Sequence, residues 1–254
     1  MTEPRHALIT NDDGIDSEGL RQLALLARQA GLRPVIAAPW SESSGSSAGL
    51  TAVGSDGRVV TERRELPGLA DVPAYAVRAL PGYIALLGSR GAFGPAPDVV
   101  LSGINRGANT GNAVLHSGTV GAAMTACTHG ARALAVSLAA DETSDPLYWQ
   151  TAAEVAGRVL AWVLDAKASF VLNLNVPNAP VDALRGLRSA HLARFGVVQT
   201  TIAEVGEGFV KVAMADANAE YEPGTDAALL ADGYATVTPL NPICEASEVR
   251  LPAD

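Results

Sequence analysis

The chain is short of cysteine. Cys127 and Cys244 are the only two in 254 residues. Two are too few for a disulfide framework, and they lack the close spacing of metal ligands, so a reducing compartment is the simpler reading. Basic residues are scarce as well. Lys and Arg total 18 against 27 Asp and Glu, a formal net charge of −9. That balance argues against a nucleic-acid backbone as the main partner. It leaves a small phosphorylated substrate open, because local amides and a metal can outweigh a distant negative surface. No apolar run approaches the ~20 residues of a membrane span. The opening Met1-Thr2-Glu3-Pro4-Arg5-His6 lacks the charged and apolar regions of a signal peptide, so the expected location is cytoplasmic, with no membrane partner. A Gly-x-Gly-x-x-Gly dinucleotide fingerprint is missing after the first strand, which counts against a nicotinamide-dependent oxidoreductase. What the chain does have is a hydrophobic share of 48%, enough for a sizeable core in one α/β domain, with or without an appendage.

The first forty residues set the architecture. His6 to Asn11 reads as a strand. Leu20, Leu23, Ala24, Leu26 and Ala27 recur at helical spacing, and Gly31 is a natural stop. Pro34 to Pro39 is a second strand. Two strands flanking one helix predict a parallel sheet with a right-handed crossover. Residues 51–80 read as irregular β structure, with Val59-Val60 and Ala74 to Val77 as short strands and Gly54, Gly57, Pro67 and Gly68 as punctuation. A helix is expected over Tyr83 to Leu87. Strands follow at Asp98 to Ser102, Ala133 to Ser137 and Phe170 to Val176, with helices from Ser117 through Cys127 and from Thr151 to Leu164. After Pro180 the pattern changes. Val197 to Ile202 and Gly208 to Ala213 alternate around Val205-Gly206-Glu207-Gly208, which predicts a β-hairpin or extended arms. A short helix at Ala227 to Ala231 and a strand at Tyr234 to Thr238 close the series. The expected division is a catalytic core over 1–180 and a hairpin and arm region over 181–254, with the arms as an oligomer contact.

The first strand runs straight into Asn11-Asp12-Asp13-Gly14. In a parallel sheet the carboxyl ends of the strands are where ligands bind. The stretch reads either as an ordinary polar turn or as two carboxylates facing a hard, oxygen-seeking ion such as Mg²⁺ or Mn²⁺. The Ser/Gly-rich run Trp40 to Gly49 follows the second strand, hence shares that sheet edge, and is either a linker or a binding loop. Asn105, Gly107, Asn109 and Gly111 follow the strand ending at Ser102. Their glycines permit close approach of backbone amides, and asparagine offers a neutral oxygen or an amide donor. Ser117-Gly118-Thr119 then opens a helix whose free amides attract anions, with Ser117 as a plain N-cap the alternative. A hard cation beside an anion-binding helix end suits hydrolysis of a phosphate ester. His116 stands next to that helix, where it is either structural or a proton donor to a leaving oxygen.

These same residues carry a family likeness. Thr10 to Ile15, Ala38-Pro39 with Ser44-Gly45, Ser102 to Asn105, Gly107 to Asn109, Ser117 to Ala123, Gly224 to Asp226, Gly233-Tyr234 and Thr238 to Leu240 match the SurE survival-protein family in order and spacing. The chain resembles that family over essentially its whole length. The resemblance implies a Rossmann-like, mostly parallel sheet with helices on both faces. It implies a metal-dependent 5′/3′-nucleotidase that hydrolyses nucleoside monophosphates, with one Mg²⁺ or Mn²⁺ per subunit, in dimers or tetramers that exchange C-terminal segments. The implied metal ligands are Asp12, Asp13, Ser44 and Asn105. The implied phosphate contacts are Asn109, Ser117, Gly118 and Thr119, and the implied catalytic set is Asp12, Asp13, Asn109 and Ser117. Asp12 is then a general base or, alternatively, a nucleophile. A phosphatase of another substrate, or a nucleotide-binding regulator without turnover, are the rival readings. Two stretches depart from the family pattern: Trp40-Ser41-Glu42-Ser43, where an acidic residue usually leads, and Ala79 to Tyr83. Both bear on the base and sugar.

Overall fold

In the structure, a computed structural model, the described residues are 4–52, 56–166, 170–194, 198–206, 208–216 and 221–245. Gly54, Val197 and Glu207, which the sequence places in turns and in the hairpin, lie outside them.

A nine-stranded sheet runs through the molecule. In chain order its strands are β1 (His6–Thr10), β2 (Arg33–Pro39), β3 (Thr61–Arg64), β4 (Ala74–Val77), β5 (Val99–Arg106), β6 (Arg132–Ala139), β7 (Val171–Pro177), β8 (Leu187–Ser189) and β11 (Ala235–Leu240). The spatial order is β3-β4-β2-β1-β5-β6-β7-β11-β8. Strands β4, β2, β1, β5, β6 and β7 are mutually parallel. Strand β3 is antiparallel to β4, and β11 is antiparallel to β7. From central β1 the chain first builds outward through β2 and β4, then returns to lay down β5, β6 and β7 on the other side. The gap between β1 and β5 is therefore the point where the winding reverses, the place where such sheets open a crevice at their carboxyl ends.

Helices cover both faces. On one face α1 (Glu18–Gln29) and α4 (Trp149–Asp165) bury Leu20, Leu23, Ala24, Val155, Val159 and Val163 against Ile9, Leu101 and Leu134. On the other face α2 (Pro81–Ser89) and α3 (Gly118–Thr128) bury Ile84, Ala85, Ala122 and Ala126 against Leu8, Ala37 and Val100. The central strands are apolar on both faces because both are covered. Helix α1 begins where the Ser17 hydroxyl accepts the Leu20 N–H, a cap whose loss costs about 1 kcal/mol. The α/β class with helices on both faces is thus the one that the sequence leads to. A fifth helix, α5 (Asp226–Ala231), leads into β11, and β9 (Val198–Gly206) and β10 (Phe209–Asp216) form a separate antiparallel hairpin.

Three local expectations need correcting. The edge strand falls on Thr61–Arg64, not on Val59-Val60. It is an exposed, polar strand that borrows its hydrogen bonds from β4, so hydrophobic patterning does not reveal it. Helix α2 starts two residues earlier than expected because Pro81 takes the first helical position, where a missing N–H does no harm. Strand β5 does not end at Ser102 but continues to Arg106, with its pairing to β6 broken between Ser102 and Asn105.

Candidate active site

Strand β1 ends at Thr10 and delivers Asp12 and Asp13 to the reversal point of the sheet. Asn11 shapes the turn: its side-chain carbonyl accepts the Gly14 N–H at 3.2 Å, and its amide donates to Gly14 O at 3.0 Å and to Ser17 Oγ at 2.7 Å. Asparagine in the motif is therefore a local brace that joins the turn to the cap of α1.

Asp12 is 4% exposed. Its carboxylate accepts the Thr119 hydroxyl. Burial raises its pKa, while the Thr119 hydroxyl and the backbone N–H groups of Thr119 and Gly118 pull the other way. The start of α3 thus points its free amides at Asp12. Gly118 is required there: a Cβ would lie 2.5 Å from Ser46 Oγ and 2.8 Å from Asp12 Oδ2. The Asp13 carboxyl is pushed up to about 7, chiefly by burial, then by the charge of Asp12 and of Glu42, against a backbone hydrogen bond from Arg106 N at 3.3 Å. No Lys, Arg or His pairs with either carboxylate among the described residues.

The loop after β2 comes next. Ser43 N donates to Asp12 O at 2.8 Å, and the backbone of Ser47 donates to His116 O at 3.2 Å. The loop therefore lies across Asp12 and the entry to α3. Glycines make room for it: a Cβ on Gly121 would meet Ser47 O at 2.2 Å, and one on Gly82 would meet Ala48 C at 2.9 Å. Ser44 is exposed, and its hydroxyl donates to Glu42 Oε1 at 2.8 Å. Ser46 Oγ is buried beside Gly118 with no hydrogen-bond partner among the described residues.

The β5–β6 register shifts just before Asn105, and the next residue, Arg106, meets Asp13 through its N–H. Asn105 Nδ2 donates to Gly107 O at 2.7 Å, which fixes the amide and leaves Oδ1 as the acceptor end. Asn109 is held more firmly still. Its N–H donates to Asn175 Oδ1 at 2.8 Å, its carbonyl accepts from Asn173 Nδ2 at 2.8 Å and Asn175 Nδ2 at 2.9 Å, and its own Nδ2 donates to Ser137 Oγ at 2.8 Å. Ser117 caps α3 by accepting Val120 N–H at 3.0 Å, so the plain N-cap role is real, and the hydroxyl proton remains to be donated. His116 is exposed at the end of the short turn Gly111–His116.

Asp12, Asp13, the Ser43 backbone, Arg106 N, Gly118 and Thr119 are thus joined by direct contacts. The side chains of Ser44, Asn105 and Asn109 make no hydrogen bond to the two carboxylates among the described residues. Sequence reasoning missed Ser137, Asn173 and Asn175 as supports. The signal was available: two asparagines at i and i+2 in the otherwise apolar run Val171 to Val176 share one face of a strand. Asp226 is another support. It is fully buried and accepts N–H groups from Gly111 at 2.9 Å, Ala193 at 2.9 Å and Ala227 at 2.8 Å, tying α5 to the end of the asparagine loop.

The family model described as "Survival protein SurE" matches residues 7–198. The chain belongs to the SurE family. Similar SurE proteins include the 5′/3′-nucleotidase SurE of Edwardsiella ictaluri, 35% identical with 92% of this chain and 88% of that protein covered. The 5′-nucleotidase SurE of a Synechococcus species is also 35% identical, over 92% of this chain and 91% of its own length. A crystal structure of SurE from Aquifex aeolicus superimposes with a TM-score of 0.75 at 27% identity, covering 96% of both chains. Among the SurE features singled out in the sequence, Gly224-Thr225-Asp226 has a structural explanation in the Asp226 ties. The Trp40 departure has one too: the ring packs against the core beneath the loop.

The donor set suits a hard divalent ion. Asp12 is buried and Asp13 partly so, their charges oppose each other, and the Arg106 charge offsets Asp13 only in part, with no salt bridge to either carboxylate among the described residues. Carboxylate and carbonyl oxygens are the ligands that Mg²⁺ and Mn²⁺ prefer. Among the described residues no cluster of three His, Cys, Asp or Glu forms a metal site, so such an ion would depend on neutral oxygens to complete its shell.

Proposed function

We propose that the chain is a metal-dependent phosphomonoesterase that hydrolyses nucleoside 5′-monophosphates, and 3′-monophosphates, to nucleoside and phosphate. The observation that carries this reading is the Asp12–Asp13 pair at the sheet's reversal point against the start of α3, where desolvation raises both carboxyls and no salt bridge to either forms among the described residues. Membership of a family whose relatives are named nucleotidases supports it. In this proposal Asp12, Asp13, Ser44 and Asn105 hold one Mg²⁺ or Mn²⁺. When bound, the ion supplies positive charge to the phosphoryl oxygens and acidifies water.

The protein's own groups do the rest. The Ser117 hydroxyl and the Asn109 amide donate to phosphoryl oxygens, joined by the backbone of Gly118 and Thr119. Asp12 takes the proton of the attacking water. The new P–O bond forms in line with the ester P–O bond that breaks, and the leaving oxygen takes up a proton. Thr119 orients Asp12 through its hydroxyl, and Asn173 and Asn175 hold Asn109 still. The exposed apolar residues Val205, Phe209 and Val210 support packing of the β9–β10 hairpin on a second copy.

The test is phosphate release from 5′- and 3′-nucleoside monophosphates and p-nitrophenyl phosphate, with Mn²⁺, Mg²⁺ or EDTA, alongside Asp12→Asn. Metal-dependent release that Asp12→Asn abolishes is the expected result. No release from folded, metal-loaded protein refutes it. Single turnover in ¹⁸O-water should place the label in free phosphate; label found first in Asp12 would make that residue the nucleophile.

A further inference from the structure

At the carboxyl ends of β2 and β4 lies a cavity of about 340 Å³. Val77, Ala79 and Leu80 give it apolar walls, and Trp40, Glu42 and Arg78 stand among its lining. The segment that walls the cavity also touches the site on its other side. Ser43 N reaches the Asp12 carbonyl at 2.8 Å, and the Ser41 backbone lies against Gly14. One stretch of chain, residues 40–43, is thus shared by the cavity and the acidic turn.

Two guanidinium groups stack on Trp40: that of Arg78 at 4.9 Å from the ring centroid and that of Arg64 at 5.1 Å. Arg64 is also paired with Glu62 at 3.1 Å. Arg78 is exposed and pairs with no carboxylate among the described residues. A guanidinium without a carboxylate partner, held over an aromatic ring, presents a planar fork of donors.

We propose that this cavity receives the leaving nucleoside, and that Arg78 selects a purine with two acceptors on one edge, guanine or hypoxanthine, over adenine. The proposal rests on the nucleotidase reading. Apolar walls suit a flat base, and the volume falls within the range of small-ligand pockets, about 300–1,000 Å³. Guanine offers O6 and N7 side by side, which a guanidinium meets with two parallel N–H groups. Adenine replaces O6 with an amino group, so donor would face donor. A second phosphate is a poorer occupant, because Glu42 shares the lining and repels it. The same residue explains how the loop is held: it accepts the Ser44 hydroxyl at 2.8 Å, so a change of occupant in the cavity bears directly on a residue of the proposed metal set.

The experiment compares kcat/KM for GMP, IMP, AMP, guanosine 3′,5′-bisphosphate and ribose 5-phosphate in the native protein, Arg78→Met and Arg78→Lys. The native protein should favour GMP and IMP over AMP by about ten- to a hundredfold. Arg78→Met should bring the GMP to AMP ratio close to one, and Arg78→Lys should not restore it, because an ammonium cannot reproduce the planar fork. A native ratio near one overturns the proposal, as does a ratio unchanged in Arg78→Met or a preference for the bisphosphate over GMP. Guanosine alone, titrated against tryptophan fluorescence, gives a second readout. Quenching that disappears in Trp40→Phe and weakens in Arg78→Met supports the subsite even where no phosphate is released, which would place the failure in the nucleotidase reading. Turnover of nucleotides with no guanosine binding overturns the subsite and leaves the nucleotidase standing.

Discussion

Asp13→Asn should stabilise the metal-free protein above neutral pH while removing its response to metal. The Asp13 carboxyl is pushed from 3.8 up to about 7, first by burial, then by the charges of Asp12 and Glu42. The folded protein therefore keeps this proton to higher pH than the unfolded chain does. The stabilisation is complete below about pH 4 and is lost as pH rises through 7. At about 1.4 kcal/mol per pH unit, ionising Asp13 within the fold costs at most about 4 kcal/mol. In a chain of this length that corresponds to a fall in Tm of at most about 8–16 °C. Thermal unfolding in EDTA at pH 5 and pH 8 measures it. The native protein should lose stability between the two, and Asp13→Asn should lose less, since the amide keeps the shape and the Arg106 N–H contact without the charge. Adding Mn²⁺ at pH 8 should restore the native protein and leave Asp13→Asn unmoved. An equal pH loss in both proteins, or equal stabilisation by Mn²⁺, would refute the reasoning.

Two further substitutions probe the supports. Gly118→Ala places a methyl group 2.8 Å from Asp12 Oδ2 and 2.5 Å from Ser46 Oγ. It should cost about 1–3 kcal/mol in urea unfolding and reduce kcat at least tenfold; a variant of native stability and rate would show that the loop and Asp12 yield freely. Asn175→Ala removes the acceptor of Asn109 N–H and one of two donors to its carbonyl. A buried backbone group left unpaired costs about 1–3 kcal/mol, and loosening Asn109 should raise KM and the inhibition constant of inorganic phosphate more than it lowers kcat. Unchanged phosphate inhibition would remove Asn109 from the phosphate site.

Much of this was legible where local chemistry and global fold agree. Strand β1 followed by Asn-Asp-Asp-Gly announces its own end, and the Ser17 and Ser117 caps mark two helix starts. Strands β3 and β8 were not legible because short, exposed edge strands owe their form to a neighbour. The extension of β5 was hidden by Gly103 and Gly107, which read as loop. At the site, the carboxylate pair and the helix end could be read from sequence because each is contiguous. The grip of Asn173 and Asn175 on Asn109 spans more than sixty residues, and only the sheet register brings them together. The partner of Ser44 was equally out of reach, since a hydroxyl's choice between a metal and Glu42 leaves no pattern along the chain.

The tie made by Asp226 has a consequence for how the molecule is built. A chain emerging from the ribosome completes β1 through β7, and with them both aspartates and the asparagine loop, well before residue 226 appears. Until then Gly111 N–H has no carboxylate to meet, and β7 is a bare sheet edge, since β11 is still to come. Such an edge is a template for the wrong strand. The stretch from Asp226 to Leu240 therefore acts as a closing clasp. The nascent enzyme is expected to remain inactive and in need of protection until that clasp is shut.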